Sequence, residues 1–367
     1  MSSPQTRIES LLRELVADGS ERGLQVAVYH RGRLVVDAVA GVMSRAPDAP
    51  SVTADTLFPV FSTGKGVTAT AAHLLVERGL TTYETPVAAV WPEFAAHGKG
   101  GITLRHLLDH TAGLSAVPAE IDHEQSLDWD QVCAALAAAR PATAPGTHLA
   151  YHAMTYGWLV GEFIRRVDGR SFPRFVREEI SGPLGIDDGM YFGLPDSESP
   201  HVATLEQQPP ASAEPPPPPS PTVPQWRGLL HNWMNQPDVR RACMPASNGI
   251  MNARAIARHY AALLPGGVDG VELLPPARIR EATTLQLPRP EIPPGNVFLF
   301  TLGYMQGGPA IDIGPEESAF GHGGYGGSQG YANPARGFAV GITKNRFRDG
   351  DTTPARILST LIDCIAL

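Results

Sequence analysis

A serine and a lysine three positions apart carry the clearest chemistry in this sequence. Ser62-Thr63-Gly64-Lys65 is followed by Val67, Ala71 and Leu74 at helical spacing, which predicts a buried helix beginning near Ser62. Residues three apart on a helix share a face, so the Lys65 amine can reach the Ser62 hydroxyl and take its proton. By itself the pattern is weak, because a serine that caps a surface helix and a solvated lysine give the same spacing.

Two further motifs follow along the chain. Tyr151-His152-Ala153 comes after a Pro145-Gly146 turn and before the apolar run 156–164, so Tyr151 is expected at a loop-to-helix junction. A phenol there can share a proton with a serine and a lysine. Residues 321–327 read Gly-His-Gly-Gly-Tyr-Gly-Gly and precede a strand-like segment, 337–342. A glycine-rich strand lets a substrate carbonyl approach the backbone closely.

The order of these motifs resembles that of the class C β-lactamase and penicillin-binding-protein-like serine hydrolases, and most closely the family VIII carboxylesterases. Their pattern is Ser-x-x-Lys, then Tyr-x-Asn or a relative, then Lys-Thr-Gly or a His-Gly-Gly-like replacement. The resemblance covers nearly the whole chain, including residues 57–58, 102–114, 182–186 and 245–250. It implies that Ser62 is acylated and that Lys65 and Tyr151 exchange its proton. It also implies that the amides of Ser62 and Tyr325 form the oxyanion hole.

The chain departs from the β-lactamase pattern in two motifs. Ala153 stands where the second motif has an amide side chain, and His322-Gly323-Gly324 replaces Lys-Thr-Gly. The lysine and threonine of that motif normally hold a substrate carboxylate, so esters without a carboxylate are the expected substrates. Some candidate contacts are as consistent with a structural role, namely the histidine after Tyr151 and the tryptophans after the proline-rich segment. The candidate substrate-binding residues are His152, His322, Gly323, Gly324, Trp226 and Trp233.

Two other patterns offer competing chemistry. Residues 326–330 fit the Gly-x-Ser-x-Gly motif of α/β-hydrolases and make Ser328 a rival nucleophile. That fold needs a histidine after the serine, whereas the last histidine here is His322. His106 and His110 lie four apart on a predicted helix, a spacing that suits zinc, but no third ligand accompanies them. We therefore expect no metal and no cofactor.

Composition narrows the cellular setting and the partners. The chain has 367 residues and a formal net charge of −8 without a basic run, which argues against nucleic acid as a partner. Its first residues lack the apolar core of a signal peptide, and no apolar stretch reaches the length of a membrane span. Three widely spaced cysteines are expected to be free thiols. These features predict a cytoplasmic protein that does not bind membranes.

The pattern of apolar residues predicts an α+β (α/β sandwich) fold, in which an antiparallel sheet is flanked by helices and joined to an all-helical region. A helix at 8–16 and a hairpin at 24–36 are expected from the N-terminal part. Strands near 298–304 and 337–344 and a helix at 357–365 are expected from the C-terminal part. We therefore predict a discontinuous sheet domain, 1–61 with 296–367, and a mainly helical domain, 62–295, with a proline-rich loop at 209–224.

Together these features predict a serine hydrolase that cleaves small carboxylic esters through a covalent acyl-enzyme. The expected partner is a small-molecule ester or acyl donor. The sequence leaves open whether water or an alcohol or amine accepts the acyl group, so an acyltransferase is the alternative. A β-lactamase, a D-amino-acid peptidase and a non-catalytic binding protein on the same scaffold rank behind these two.

Overall fold

The computed structural model describes residues 3–208, 222–286, 299–307, 316–348 and 350–365. The strands are β1 (Gly23–His30), β2 (Arg33–Gly41), β3 (Phe58–Phe61), β4 (Met190–Tyr191), β5 (Glu206–Gln207), β6 (Gly249–Met251), β7 (Met305–Gln306), β8 (Phe320–Gly323), β9 (Gln329–Asn333), β10 (Phe338–Lys344) and β11 (Arg346–Phe347). The helices are α1 (Pro4–Ala17), α2 (Gly64–Glu77), α3 (Val87–Val90), α4 (Leu104–Leu108), α5 (His123–Ser126), α6 (Trp129–Ala138), α7 (Thr155–Asp168), α8 (Phe172–Val176), α9 (Gly182–Leu184), α10 (Leu230–Met234), α11 (Pro237–Arg241), α12 (Ala253–Ala261), α13 (Pro276–Ala282) and α14 (Thr353–Cys364).

The main sheet is built from both ends of the chain. Its six strands lie in the order β2-β1-β10-β9-β8-β7, and neighbouring strands are antiparallel. β1 pairs with β10 in a register that sets Val26 opposite Ile342 and Val28 opposite Val340. Both strands are almost entirely buried, because helices cover both faces of the sheet.

Alternation along β1 directs side chains to two separate cores. Leu24, Val26 and Val28 belong to the cluster that contains apolar residues of α1 and α14, while Ala27 faces the larger cluster on the opposite face. On that second face α12 packs closely on β10. A Cβ atom at Gly341 would lie 2.2 Å from the Ala253 carbonyl oxygen, so only glycine permits this approach.

A second, three-stranded sheet leads directly into the Ser-x-x-Lys segment. Its order is β3-β6-β4, and β3 runs directly toward α2. All residues of α2 from Gly64 to Val76 are buried, and α2 packs against α7. The helix that carries Lys65 is therefore enclosed by protein on every side, unlike a surface helix whose lysine is solvated.

The predicted fold class is confirmed: an antiparallel sheet with flanking helices joins a helical region. The domain limits stay a prediction. The strand expected at 298–304 is wrong. Residue 298 lies outside the described residues, and the chain turns at Gly303 (φ +86°), where the Thr301 N–H donates to the Tyr304 carbonyl, so the strand begins at Met305.

Two other expectations concern the middle of the chain and the membrane. Residues 209–221 of the proline-rich loop lie outside the described residues. None of the helices in the described part of the chain is both long and apolar enough to cross a bilayer.

Candidate active site

Ser62 occupies a sharp junction between β3 and α2. β3 ends at Phe61, whose φ of +49° is in the left-handed region, and α2 begins at Gly64. A non-glycine residue held in this region stores backbone strain, which is common at functional sites. The bend leaves Ser62 partly exposed, while Phe61 and Thr63 on either side are buried. The Ser62 hydroxyl is thus presented at the edge of the core.

Lys65 places a buried amine on the Ser62 hydroxyl. Its Nζ lies 3.0 Å from Ser62 Oγ, 2.8 Å from the Ala153 carbonyl oxygen and 2.9 Å from the Ala246 carbonyl oxygen. Burial, and then the positive charge of Arg227, hold the pKa of Lys65 well below its usual value. A neutral amine has two N–H groups, and these donate hydrogen bonds to the two carbonyl oxygens. Its lone pair is then left for the proton of Ser62.

Tyr151 approaches the same hydroxyl from a loop that precedes α7. Its phenol donates to Ser62 Oγ over 2.9 Å. The ring stacks on Phe300, with centroids 5.5 Å apart and planes 11° apart, and Lys65 Nζ lies 4.9 Å from the Tyr151 ring centroid. Desolvation raises the pKa of Tyr151, so the phenol is protonated at neutral pH. The structure therefore brings Ser62, Lys65 and Tyr151 together in one hydrogen-bonded cluster.

The glycine-rich segment after β8 packs directly on the nucleophile junction. A Cβ atom at Gly324 would lie 2.1 Å from the Val60 carbonyl oxygen and 2.8 Å from Thr63 Oγ1, whereas one at Gly323 would meet nothing within 4 Å. Tyr325 follows in the turn, and its ring packs edge-on against Phe61, with centroids 5.8 Å apart. The backbone of Tyr325 thus lies beside the strand that ends at Ser62, as an oxyanion-hole role requires.

Ser328 is occupied by structural hydrogen bonds. It is buried, its Oγ donates to the Val60 carbonyl oxygen over 2.8 Å, and it lies 3.1 Å from Thr63 Oγ1. Its hydroxyl proton is therefore committed to a backbone carbonyl, and Ser328 fastens the glycine-rich turn to β3. This geometry favours Ser62 over Ser328 as the nucleophile.

The two candidate histidines are both buried and uncharged at neutral pH. His152 is fully buried, with Nε2 accepting from the Leu114 N–H and Nδ1 lying 2.6 Å from the Ala150 carbonyl oxygen. Since both ring nitrogens are used by the backbone, we leave His152 out of the proposed substrate contacts. Burial, and then the charge of Lys65, lower the pKa of His322 to about 3. His322 therefore does not supply the cation that Lys-Thr-Gly provides.

The tryptophans lie in one aromatic cluster, with Trp226 and Trp233 centroids 6.5 Å apart. Trp226 is partly exposed and donates from Nε1 to the Ile121 carbonyl oxygen over 3.0 Å, whereas Trp233 is buried. Sequence reasoning missed Arg227, whose guanidinium carbon lies 4.1 Å from the Trp233 ring centroid. It also missed Phe300, which supports Tyr151. The signal for Arg227 was a single arginine within an aromatic and apolar stretch.

A family model described as Beta-lactamase matches residues 8–362. The chain belongs to the β-lactamase family. Among curated relatives, the esterase/beta-lactamase LipL of Mycobacterium tuberculosis is 35% identical over 341 residues, covering 88% of this chain and 77% of LipL. The β-lactamase-family resemblance seen in the sequence motifs is thus confirmed.

Two solved structures match this chain over nearly its whole length. A family VIII carboxylesterase is 31% identical, with a TM-score of 0.89 over 99% of this chain and 98% of that chain. A penicillin-binding protein homologue from Caulobacter crescentus is 36% identical, with a TM-score of 0.86 over 99% and 98% of the two chains. The predicted class of activity, a serine hydrolase or acyltransferase of the β-lactamase-like superfamily, is confirmed by these relatives.

Proposed function

We propose that this protein is a serine hydrolase that cleaves small carboxylic esters through an acyl-enzyme on Ser62. The observation that carries the proposal is the position of Ser62 Oγ, 3.0 Å from Lys65 Nζ and 2.9 Å from the Tyr151 hydroxyl. A serine so placed has a base and an acid in direct contact. The names of LipL and of the family VIII carboxylesterase point to ester substrates as well.

The protonation states of Lys65 and Tyr151 assign a different catalytic role to each of these two partners of Ser62. The lowered pKa of Lys65 favours the neutral amine, which takes the Ser62 proton as the oxygen attacks the ester carbonyl. The raised pKa of Tyr151 keeps its phenol protonated until it donates that proton to the departing alcohol. The resulting phenolate is held beside the Lys65 ammonium and takes a proton from the water that attacks the acyl-enzyme. The Lys65 ammonium returns its proton to Ser62 Oγ as the acid leaves. The sequence of steps returns every group to its starting state.

The negative oxygen of each tetrahedral intermediate is proposed to bind the amides of Ser62 and Tyr325. Removing one such donor typically costs about 3 kcal/mol of transition-state stabilisation. The close packing of Gly324 on Val60 supports this placement, because it fixes the backbone before Tyr325 against the nucleophile junction. Gly323, where a Cβ atom would meet nothing within 4 Å, leaves room for a substrate beside that backbone, and His322 is proposed to border the same space.

The nucleophile assignment is tested by labelling with a fluorophosphonate and mapping the adduct by peptide mass spectrometry. We expect the adduct on Ser62, and a loss of nitrophenyl ester turnover of about 10³-fold or more in Ser62→Ala. Ser328→Ala is the matched control: it should keep the Ser62 adduct and lose about 1 kcal/mol of stability with its hydrogen bond to Val60. An adduct on Ser328 would overturn the assignment, and no adduct would indicate a binding protein. Including an alcohol or amine and quantifying both products distinguishes hydrolysis from acyl transfer.

A further inference from the structure

Arg227 is a buried cation without a counter-charge in the part of the chain that the structure describes. The residue is 6% exposed, and its Nε has no hydrogen-bond partner among the described residues. Burial lowers the pKa of Arg227 to about 9, so the guanidinium is still charged at pH 7. A buried, unpaired charge is strongly destabilising. Binding of an anion would compensate the charge of such a group.

A second buried donor lies beside this guanidinium. Trp233 is 1% exposed, and its indole Nε1 has no acceptor among the described residues. The Arg227 guanidinium carbon lies 4.1 Å from the Trp233 ring centroid, over the face of the ring, so the two groups form a cation–π contact and the indole N–H lies at the edge of that ring. A carboxylate only accepts hydrogen bonds, so it suits a pair of donors. A water molecule would satisfy an N–H group but carries no negative charge, and the face of the Trp233 ring offsets only part of the charge of Arg227.

The cation acts on the catalytic centre. Its charge is one of the two causes that hold the pKa of Lys65 below the usual value, the other being burial. Trp226, the neighbour of Arg227 in the chain, anchors the segment through the Ile121 carbonyl. Arg227 therefore lies in the aromatic cluster of Trp226 and Trp233, which the sequence offers as candidate substrate contacts, within electrostatic reach of Lys65.

We propose that Arg227 and the indole N–H of Trp233 bind a carboxylate carried by the acyl group of the substrate. This inference rests on the proposed ester hydrolysis and names its substrate class: esters whose acyl chain ends in a carboxylate, such as monoesters of dicarboxylic acids. It revises the expectation of esters without a carboxylate. The third motif lacks a cation, and Arg227 supplies one from a different segment.

The first test uses the unmodified protein. Nitrophenyl monoesters of adipic, pimelic and suberic acid are compared with isosteric esters whose far carboxylate is replaced by an amide. We expect a higher kcat/KM for the acids at one chain length, by about tenfold to a hundredfold, as for a charge-assisted hydrogen bond. Equal values at all three lengths would overturn the proposal but leave the esterase intact. No turnover of any ester would instead count against the proposed function.

The second test locates the preference. Arg227→Gln should raise KM for the preferred acid and reduce its advantage over the amide to about unity, and Arg227→Lys should keep part of that advantage. Trp233→Phe retains the ring, loses the N–H group, and should weaken the preference severalfold. Arg241→Gln, on the surface and paired with Asp196, is the matched control and should not change the ratio. An unchanged ratio in a folded Arg227→Gln, checked by thermal melting, would refute the assignment.

Two experimental outcomes would place the carboxylate-binding site elsewhere or rule it out. Acetoxybenzoate and acetoxybenzamide carry the charged and neutral groups on the leaving side. A preference for acetoxybenzoate alone would place the anion in the leaving group and overturn the acyl-side proposal. Glu214 belongs to the residues that are not described. If Glu214→Gln creates an acid preference that the unmodified protein lacks, then Arg227 is neutralised within the chain and the proposal is wrong.

Discussion

Acid should unfold this protein at an unusually high pH, because five buried histidines are held neutral. Burial is the first cause in each case and lowers the pKa to about 4 for His152 and to about 3 for His73, His259 and His322. Burial also holds the pKa of His110 well below its usual value. In the unfolded chain a histidine has a pKa near 6.5. The unfolded state therefore binds more protons than the folded state below that pH, and stability falls as the pH drops from about 6.5 toward 4.

The size of the effect follows from these values. At pH 5 each of the four histidines with a pKa of about 3 or 4 costs about 2 kcal/mol relative to the neutral limit, or about 8 kcal/mol for the four, and His110 adds to this loss. The buried carboxyls of Glu21 and Asp109 have raised pKa values and act in the opposite direction, since acid stabilises groups of that kind. The net loss is expected to be several kcal/mol. That is comparable with the 5–15 kcal/mol typical of a whole domain.

Urea unfolding monitored by circular dichroism at steps between pH 7 and pH 5 measures this loss directly. His259 bonds to Thr70 through Nε2, so His259→Gln removes one titrating group and should reduce the slope by about 1.4 kcal/mol per pH unit near pH 5. His201→Gln, at an exposed position, is the control and should leave the slope unchanged. A stability that stays flat between pH 6.5 and pH 5, or equal slopes in both variants, would refute the reasoning.

Two predictions concern catalysis. Lys65→Met and Tyr151→Phe should each lower kcat by about 10²- to 10⁴-fold, and the double variant should be little worse than the worse single, because both act on one Ser62 proton. Fully additive losses in pre-steady-state measurements would show that they serve separate steps. The pH profile of the unmodified enzyme should fall on the acid side as Lys65 gains its proton, and Tyr151 should cause no alkaline loss below about pH 10, given its raised pKa. Gly324→Ala should lower turnover by at least tenfold, because its Cβ would overlap the Val60 carbonyl oxygen, 2.1 Å away. A Gly324→Ala enzyme with normal kcat would mean that the oxyanion site does not depend on this contact.

Local interactions were predictable from the sequence. The spacing of Ser62 and Lys65 fixes their contact, because a helix brings positions three apart onto one face, and the structure gives 3.0 Å between Nζ and Oγ. The hairpin of β1 and β2 followed from alternation around the turn at Arg31 and Gly32. The place of Tyr151 in the site came from its resemblance to a known motif, since no local rule relates residues 89 positions apart.

The remaining features depend on which distant segments pack together. The pairing of β1 with β10 joins the two ends of the chain, and the strand expected at 298–304 gave way to the turn at Gly303. The sequence determined which side chains could be nucleophile, base and acid. Only the tertiary structure decided that burial lowers the pKa of Lys65, that Ser328 is bound to Val60, and that Arg227 has no counter-charge among the described residues. Burial and electrostatic fields are sums over all neighbours in space, and a linear pattern does not contain them.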